Sequence, residues 1–409
     1  MTALSEKPAA APPGSAGTVL RRFAGPVYVP ATMYAIGQGA VLPILGVAAH
    51  NLGASYATAA LIGGLPAVGV LVGDGPAGSF VARVGEKRGM LVSAALTLIC
   101  CLAVVLAGSL VVLTIAALVS GAASSIFLLA RHSLLTELVP PHFRARSLAL
   151  LAGTYRAGIT IGPFAAAALI ARFGVLSAFW IQVVACLVVS AYLLIAPDPE
   201  RELKPQHVID QPSLGLVRMA REHASVLVMV GGPMAILMLL RNTMTVIVPL
   251  WGVAIDIPES QIAIAVGISG LLQLALVYTA GQLADRFGRM WVAMPVTVGI
   301  ALGHLLLLTA HELVGYVAVV CLLSIANGFG GGIMMTIGSD LAPLGRAPEF
   351  LGLWRLVNDG GGAVAPFVLS GAAALVSLSF AAATLSGIGL VGAGLLWRFL
   401  PRYLERGRV

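Results

Sequence analysis

Gly281-Gln282-Leu283-Ala284-Asp285-Arg286-Phe287-Gly288-Arg289 is a short, charged, glycine-bounded stretch that joins two long apolar runs, 259–282 and 290–310. Roughly 20 mostly apolar residues are needed to cross a bilayer as a helix, so the stretch reads as a turn on one face of a membrane. Moving back 203 positions finds a second version of it, with Gly78 for Gly281, Arg83 for Arg286 and Gly85 for Gly288. The same shift sets Glu137 against Asp340, Pro140 against Pro343 and Pro163 against Pro366. One offset across three separate regions means a duplicated unit. Two parallel repeats of this kind place a substrate path at the seam between them.

Working outward from the turn, apolar runs of spanning length lie near 27–50, 56–80, 89–108, 110–138, 147–171 and 175–196, numbered here as spans 1 to 6. They resume as spans 7 to 12 near 225–250, 259–282, 290–310, 313–340, 350–374 and 378–400. The expected fold is an all-α integral membrane protein of twelve helices in two pseudo-symmetric six-helix bundles. Its parts are a tail over 1–26, a first bundle over 27–196, a polar central loop over 197–223, a second bundle over 224–400 and a tail over 401–409. Composition agrees: only 10% of the 409 residues are charged and mean hydropathy is +0.98. A soluble domain carries about 25% charged residues, so most of this surface must meet something other than water.

The net charge of +7 does not signal nucleic acid, because the basic residues cluster between the apolar runs. Arg21, Arg22, Arg83, Lys87, Arg88, Arg144, Arg146, Arg286, Arg289, Arg346 and the C-terminal arginines fall on one side, and only Arg172 on the other. The positive-inside rule then places both termini in the cytoplasm, in an inner (plasma) membrane. Cys100, Cys101, Cys186 and Cys321 sit within apolar runs without metal-ligand spacing and read as packing residues. His50 and His304 read as interfacial or packing residues. No phosphate loop, nucleophile–base pair or metal cluster is apparent, so neither an enzyme nor a cofactor is expected.

The 281–289 stretch resembles the loop motif of the major facilitator superfamily, and its position between spans 8 and 9 is where that family carries its second copy. The first copy, between spans 2 and 3, is degraded, with Ala82 in the aspartate's place and Glu86 where a basic residue is usual. Gly158-Ile159-Thr160-Ile161-Gly162-Pro163 in span 5 is similar to the glycine-proline motif of the twelve-span drug:proton antiporter branch. The resemblance covers almost the whole chain. It implies alternating access, a monomer in the lipid bilayer, and protons and a small molecule as partners. It also implies that Asp285 caps a neighbouring helix across the seam and that Arg289 pairs with Asp340. Asp74, two turns back along span 2, is the candidate replacement for the missing acid at 82. Its candidate partner is Arg355 on span 11, the two forming a gate contact. Gly158, Gly162 and Pro163 serve either close packing or a rocking hinge.

Charge inside the apolar runs is the strongest functional clue, since each such group costs about 2.5–3.5 kcal/mol on insertion scales and usually faces a cavity or a partner. Arg156 in span 5 and Asp359 in span 11 lie at matching depth, superposed by the 203 offset. Arg241 and Asn242 lie deep in span 7, and Arg131 lies in span 4 nearer the cytoplasmic end. Asp359 and Asp74 are the candidate proton-carrying acids, with Arg355 one turn from Asp359 on the same face. Arg156 and Arg241 are candidate anchors for an anionic substrate group. Tyr34, Gln38, Gln273, Asn327 and Asn358 are candidate neutral lining groups. The leading expectation is proton-coupled export of amphipathic compounds. The alternative is transport of an anionic metabolite or lipid held by Arg156 and Arg241. A membrane receptor would need a soluble signalling domain, for which the loop and tails are too short.

Overall fold

The computed structural model describes residues 27–139, 141–196, 214–343 and 346–406. The expected tail over 1–26, most of the central loop and the side chain of Glu137 lie outside the described residues. Among the described residues, eleven helices are long and apolar enough to cross a membrane. The twelfth crossing, span 11 over Ala347–Leu375, has the length of its neighbours. Its hydropathy is diluted by Arg355, Asn358, Asp359 and the Gly360–Gly362 triplet. The crossing without a strongly apolar stretch of spanning length is therefore a seam helix.

The duplication is visible in the helix ends. Span 2 runs Tyr56–Val84 and span 8 runs Glu259–Phe287, while span 4 runs Leu110–Leu138 and span 10 reaches from Leu313 to Leu341. Each pair is superposed by the 203 shift. Helix continues through Gly78 and Gly281, so most of the loop motif is the last two turns of a helix. The turn itself is one glycine. Gly85 (φ 88°, ψ 156°) and Gly288 (φ 95°, ψ 159°) occupy a backbone region that only glycine enters cheaply.

Besides tight turns at one end of span 6 (Val175–Ala178) and of span 9 (Leu307–Thr309), three spans depart from regular helix among the described residues. Span 1 passes from Val29–Val41 through a tight turn at Leu42–Ile44 to Leu45–Asn51, because Pro43 removes a hydrogen-bond donor. Span 7 opens with a widened turn over Leu227–Gly231 before Gly232–Ala254. Span 10 reads from the sequence as continuous, but it breaks: Leu313–Phe329 and Ile333–Leu341 are separated at Gly330–Gly332, where Gly332 has φ 88°. The break falls in Gly328-Phe329-Gly330-Gly331-Gly332, where four glycines in five residues weaken the helix, although the Gly360–Gly362 triplet of span 11 stays helical. Span 12, Leu378–Arg406, also carries helix past the expected bundle limit at 400.

Between the bundles, span 2 packs on span 11 and span 5 on span 8. At the end opposite the charged loops, buried apolar residues of both halves form one continuous cluster, including Ile44, Leu45 and Ile62 with Ile247, Leu250 and Trp251. At the charged-loop end the first half keeps its own cluster, around Tyr34, Met90, Phe127 and Leu135. Glycines make the closed end tight. A Cβ on Gly63 would lie 2.9 Å from Val246 Cγ1, and one on Gly267 2.7 Å from the Phe164 ring. Asn51 Nδ2 donates to Glu259 Oε1 across the same end, at 3.1 Å. The bundles are thus joined at one end and parted at the other.

Substituting Gly288 by Ala is expected to cost about 1–3 kcal/mol of stability, whereas Gly281→Ala, with open space beside it, is expected to change stability by less than about 0.5 kcal/mol. Denaturant or thermal unfolding of the purified variants in detergent checks both.

Candidate functional site

Two cavities meet at the seam. The larger, about 450 Å³, is walled by Arg131, His132, Tyr155, Arg156, Gln273 and Asn327 together with apolar residues of spans 5, 7 and 8. The smaller, about 230 Å³, is lined by Gln38, Gln182, Asn242 and Thr243 among Pro66, Val70, Pro366 and Leu369. Tyr155 and Thr245 line both. A third cavity of about 590 Å³ holds Asp74, Arg355 and Asp359, and it shares Arg131 and His132 with the larger one. The three form a chain from the joined end of the seam towards the charged-loop end.

Span 5 delivers two neighbouring residues, Tyr155 and Arg156, to the central cavity. Its close seating on span 1 makes this possible. A Cβ on Gly158 would sit 2.7 Å from Ala35 Cβ, and Gly162 faces the Ile36 carbonyl and Ala40 amide even more closely. Both glycines act here as packing residues, within one bundle. The Tyr155 hydroxyl donates to Gln38 Oε1 in a very short bond, and Gln38 Nε2 donates to Ser124 Oγ at 2.6 Å. Tyr34 joins the same network through Ser124 (3.1 Å) and Thr97 (3.0 Å). It is fully buried inside the first bundle, stacked on Phe127, and lines neither cavity.

Arg241 has a different surrounding from Arg156. Its Nη1 donates to the Gly330 carbonyl (3.3 Å) and its Nη2 to the Asn327 carbonyl (3.5 Å), each of which also accepts a turn bond from the backbone N–H three residues on. Arg241 therefore closes the break and is absent from the cavity walls. Arg156 lies on the other side of that break, with Nη1 3.6 Å from where a Cβ on Gly331 would stand. Asn327 Nδ2 donates to Gln273 Oε1 at 2.8 Å, tying spans 10 and 8 at the cavity wall. Asn242 and Asn358 donate to carbonyls of their own helices, Met238 and Trp354.

The acids lie towards the charged-loop end. Arg355 Nε donates to Asp359 Oδ2 at 3.1 Å, and its Nη2 stands 3.7 Å from Asp74 Oδ2. One arginine thus joins spans 2 and 11 across the seam. In the loop motif, Arg289 bridges Asp340 (2.8 Å) and Asp285 (2.6 Å). The Asp340 pairing is the one the resemblance implies; the Asp285 role differs. Asp285 is 76% exposed and turns back onto Arg289 of its own loop. Arg83 is exposed and Arg286 stacks on Phe287; neither arginine makes an ion pair among the described residues.

Arg131 is a site residue that depth along the chain does not reveal, because span 4 carries it nearer the cytoplasmic end than Arg156 or Arg241. It is 4% exposed, with its guanidinium carbon 4.1 Å above the Tyr155 ring. Its Nε and Nη1 have no hydrogen-bond acceptor. Among the described residues, no carboxylate lies within 4.0 Å of Arg131, Arg156 or Arg241.

The sequence profile of the Major Facilitator Superfamily matches residues 29–366, and a second match covers 234–407. The chain belongs to the major facilitator superfamily. It is a multi-pass membrane transporter of that family. Solved transporters share its fold at low identity. One is a POT family transporter in complex with a thioalcohol-conjugated peptide, at TM-score 0.77 and 12% identity over 93% of this chain and 96% of that one. Another is the xylose transporter XylE from E. coli in an inward-open conformation, at TM-score 0.71 and 15% identity over 92% and 97%. A D-xylose–proton symporter aligns at TM-score 0.68 and 16% identity over 91% and 96%. No curated protein sequence matches the chain.

Arg241→Gln is expected to lower stability by about 1–3 kcal/mol, because the two charged hydrogen bonds that tie span 7 to the break in span 10 are lost. Asn242→Ala, which removes one bond within its own helix, is expected to stay within about 0.5 kcal/mol. Unfolding curves of the two purified variants, compared with wild type, check this.

Proposed function

We propose that the chain is a secondary active transporter that moves a small molecule bearing an anionic group by alternating access. Its charged-loop end and both termini face the cytoplasm of an inner (plasma) membrane. The observation that carries this reading is the charge balance at the seam. Arg131 and Arg156 line the central cavity with no carboxylate beside them, while the nearby acids are engaged with Arg355. An unpaired guanidinium held away from water is costly, and an arriving anion offsets that cost. Apolar residues such as Val248, Val266 and Val320 complete the wall and suit an amphipathic body.

Asp74 and Asp359 are the proposed proton-coupling pair. A proton on either acid weakens its hold on Arg355 and so loosens the contact between spans 2 and 11. The ion pair is suited to being remade in each cycle, because Arg355 is 57% exposed and such pairs contribute about 0–1 kcal/mol. Export is the direction favoured by the span 5 motif. The second reading is proton-driven export of cationic or neutral amphipathic drugs by a monomer. It is supported by the same Asp74–Arg355–Asp359 cluster, whose acids are the available anions near the cavity.

Reconstituted protein, assayed with lipophilic cations, neutral drugs and organic anions together, separates the readings. Saturable movement of an organic anion is expected, falling about 10- to 100-fold in Arg156→Gln through loss of a charge-assisted contact. Saturable movement of cations that Arg156→Gln leaves intact would replace the anion reading with the drug reading.

The coupling proposal has its own check. Addition of an organic anion to wild type in weak buffer is expected to draw protons onto the acids, and Asp74→Asn or Asp359→Asn is expected to bind without that uptake; release in place of uptake would favour the drug reading. Exchanging Asp74 and Arg355 is expected to recover part of the transport that either single substitution loses. No recovery would mean that their contact is not a gate.

A further inference from the structure

Arg131 stands between the central cavity and the acid-bearing cavity, and its surroundings are built to hold it still. Tyr155 forms a shelf beneath the guanidinium at 4.1 Å. The shelf is fixed in turn, because the Tyr155 hydroxyl donates to Gln38, which donates to Ser124 on span 4, the helix that carries Arg131. A ring face attracts a cation but does not neutralise it. Two of the three guanidinium nitrogens, Nε and Nη1, are buried without an acceptor. Arg156, next in sequence to the shelf, lines the same 450 Å³ cavity and is likewise without a carboxylate.

We propose that Arg131 is a second anion-binding residue of the central cavity and that the transported molecule is an organic dianion, either a dicarboxylate or a phosphate monoester. The inference rests on the anion reading above and sharpens it. A monoanion on Arg156 leaves the buried Arg131 charge unmatched, whereas a dianion answers both. Gln273 and Asn327, on the second bundle, complete a polar wall opposite them. Asp74 and Asp359 both turn to Arg355, and neither lies within 4.0 Å of Arg131 or Arg156. Binding the dianion draws charge on spans 4 and 5 towards the donors of spans 8 and 10, across the parted end of the seam.

The test is calorimetric titration of the full-length purified chain at about pH 8, where phosphate monoesters are dianionic. The probes are two matched pairs: suberate with its monomethyl ester, and hexyl phosphate with its methyl ester. In one pair the dianion is expected to bind about 10- to 100-fold more tightly than its monoanionic partner. The pair that shows it distinguishes a carboxylate from a phosphate ligand. Arg131→Gln is expected to narrow that preference to within about threefold. Should Arg131→Gln fail to fold, Tyr155→Leu removes the shelf and is expected to narrow it in the same way. Equal binding of dianion and monoanion by wild type overturns the proposal and leaves the anion reading standing. A preference that survives removal of Arg131 or its shelf overturns the role of Arg131. Binding of none of the four probes overturns both.

Discussion

Hydrocarbon offers no water to hydrogen-bond the main chain, and each unsatisfied amide or carbonyl there costs several kcal/mol. That constraint accounts for the helices, and it also accounts for the few places where they fail. At the break the carbonyls of Asn327 and Gly330 keep only turn bonds, from Gly330 and Ile333, and Arg241 adds a donor to each. The widened turn at Leu227–Gly231 lies against Trp354 and Val357, which approach Gly231 closely enough to shield it. The Pro43 turn in span 1 opens onto the central cavity. Irregular backbone is therefore confined to surfaces that are covered by protein or that line the cavity. A transporter site needs just such irregularity, and the membrane permits it nowhere else.

The two ends of the seam are held by different forces. At the joined end, Gly46, Gly63, Gly64 and Gly267 let helices approach until side chains of the other half fill the space a Cβ would occupy. Such contact is short-ranged dispersion, strong in sum and abolished by a small separation. At the charged-loop end the cross-seam contact is Asp74–Arg355 at 3.7 Å, with the arginine largely in water. A bundle pair that rocks must lose one set of contacts as it gains the other, so neither can be deep. Close packing that vanishes with a small movement, set against a weak screened ion pair, keeps the two arrangements near in free energy.

Crossings, the repeat and the depth of Arg156 and Asp359 are legible in the sequence because hydropathy, a constant offset and position along a helix are all one-dimensional properties. What escapes it depends on neighbours in space. Arg131 and Arg241 look alike in sequence, each an arginine inside an apolar run. Only the fold shows that Arg241 is satisfied by carbonyls of a broken helix while Arg131 has a tyrosine ring and no acceptor. The break itself is masked by context, because glycine is common in membrane helices and the stretch Gly328–Gly332 does not stand out among 48 glycines. Asp285 illustrates the reverse case. Its motif is plain in the sequence, but in the fold its carboxylate is paired with Arg289 of its own loop.

The placement of Arg131 and His132 bears on how the proposed substrate and proton sites would communicate. These two residues are the shared wall between the central cavity and the cavity of Asp74, Arg355 and Asp359. Charge introduced on one side is felt on the other through a layer one side chain thick, where low dielectric strengthens the interaction. An anion entering the central cavity lowers the positive potential from Arg131. The acids beyond it then hold their protons more readily, and Arg355 is held less firmly. Coupling of this kind needs no chain of moving parts. It follows from placing unpaired cations and a paired acid cluster on opposite faces of one thin wall.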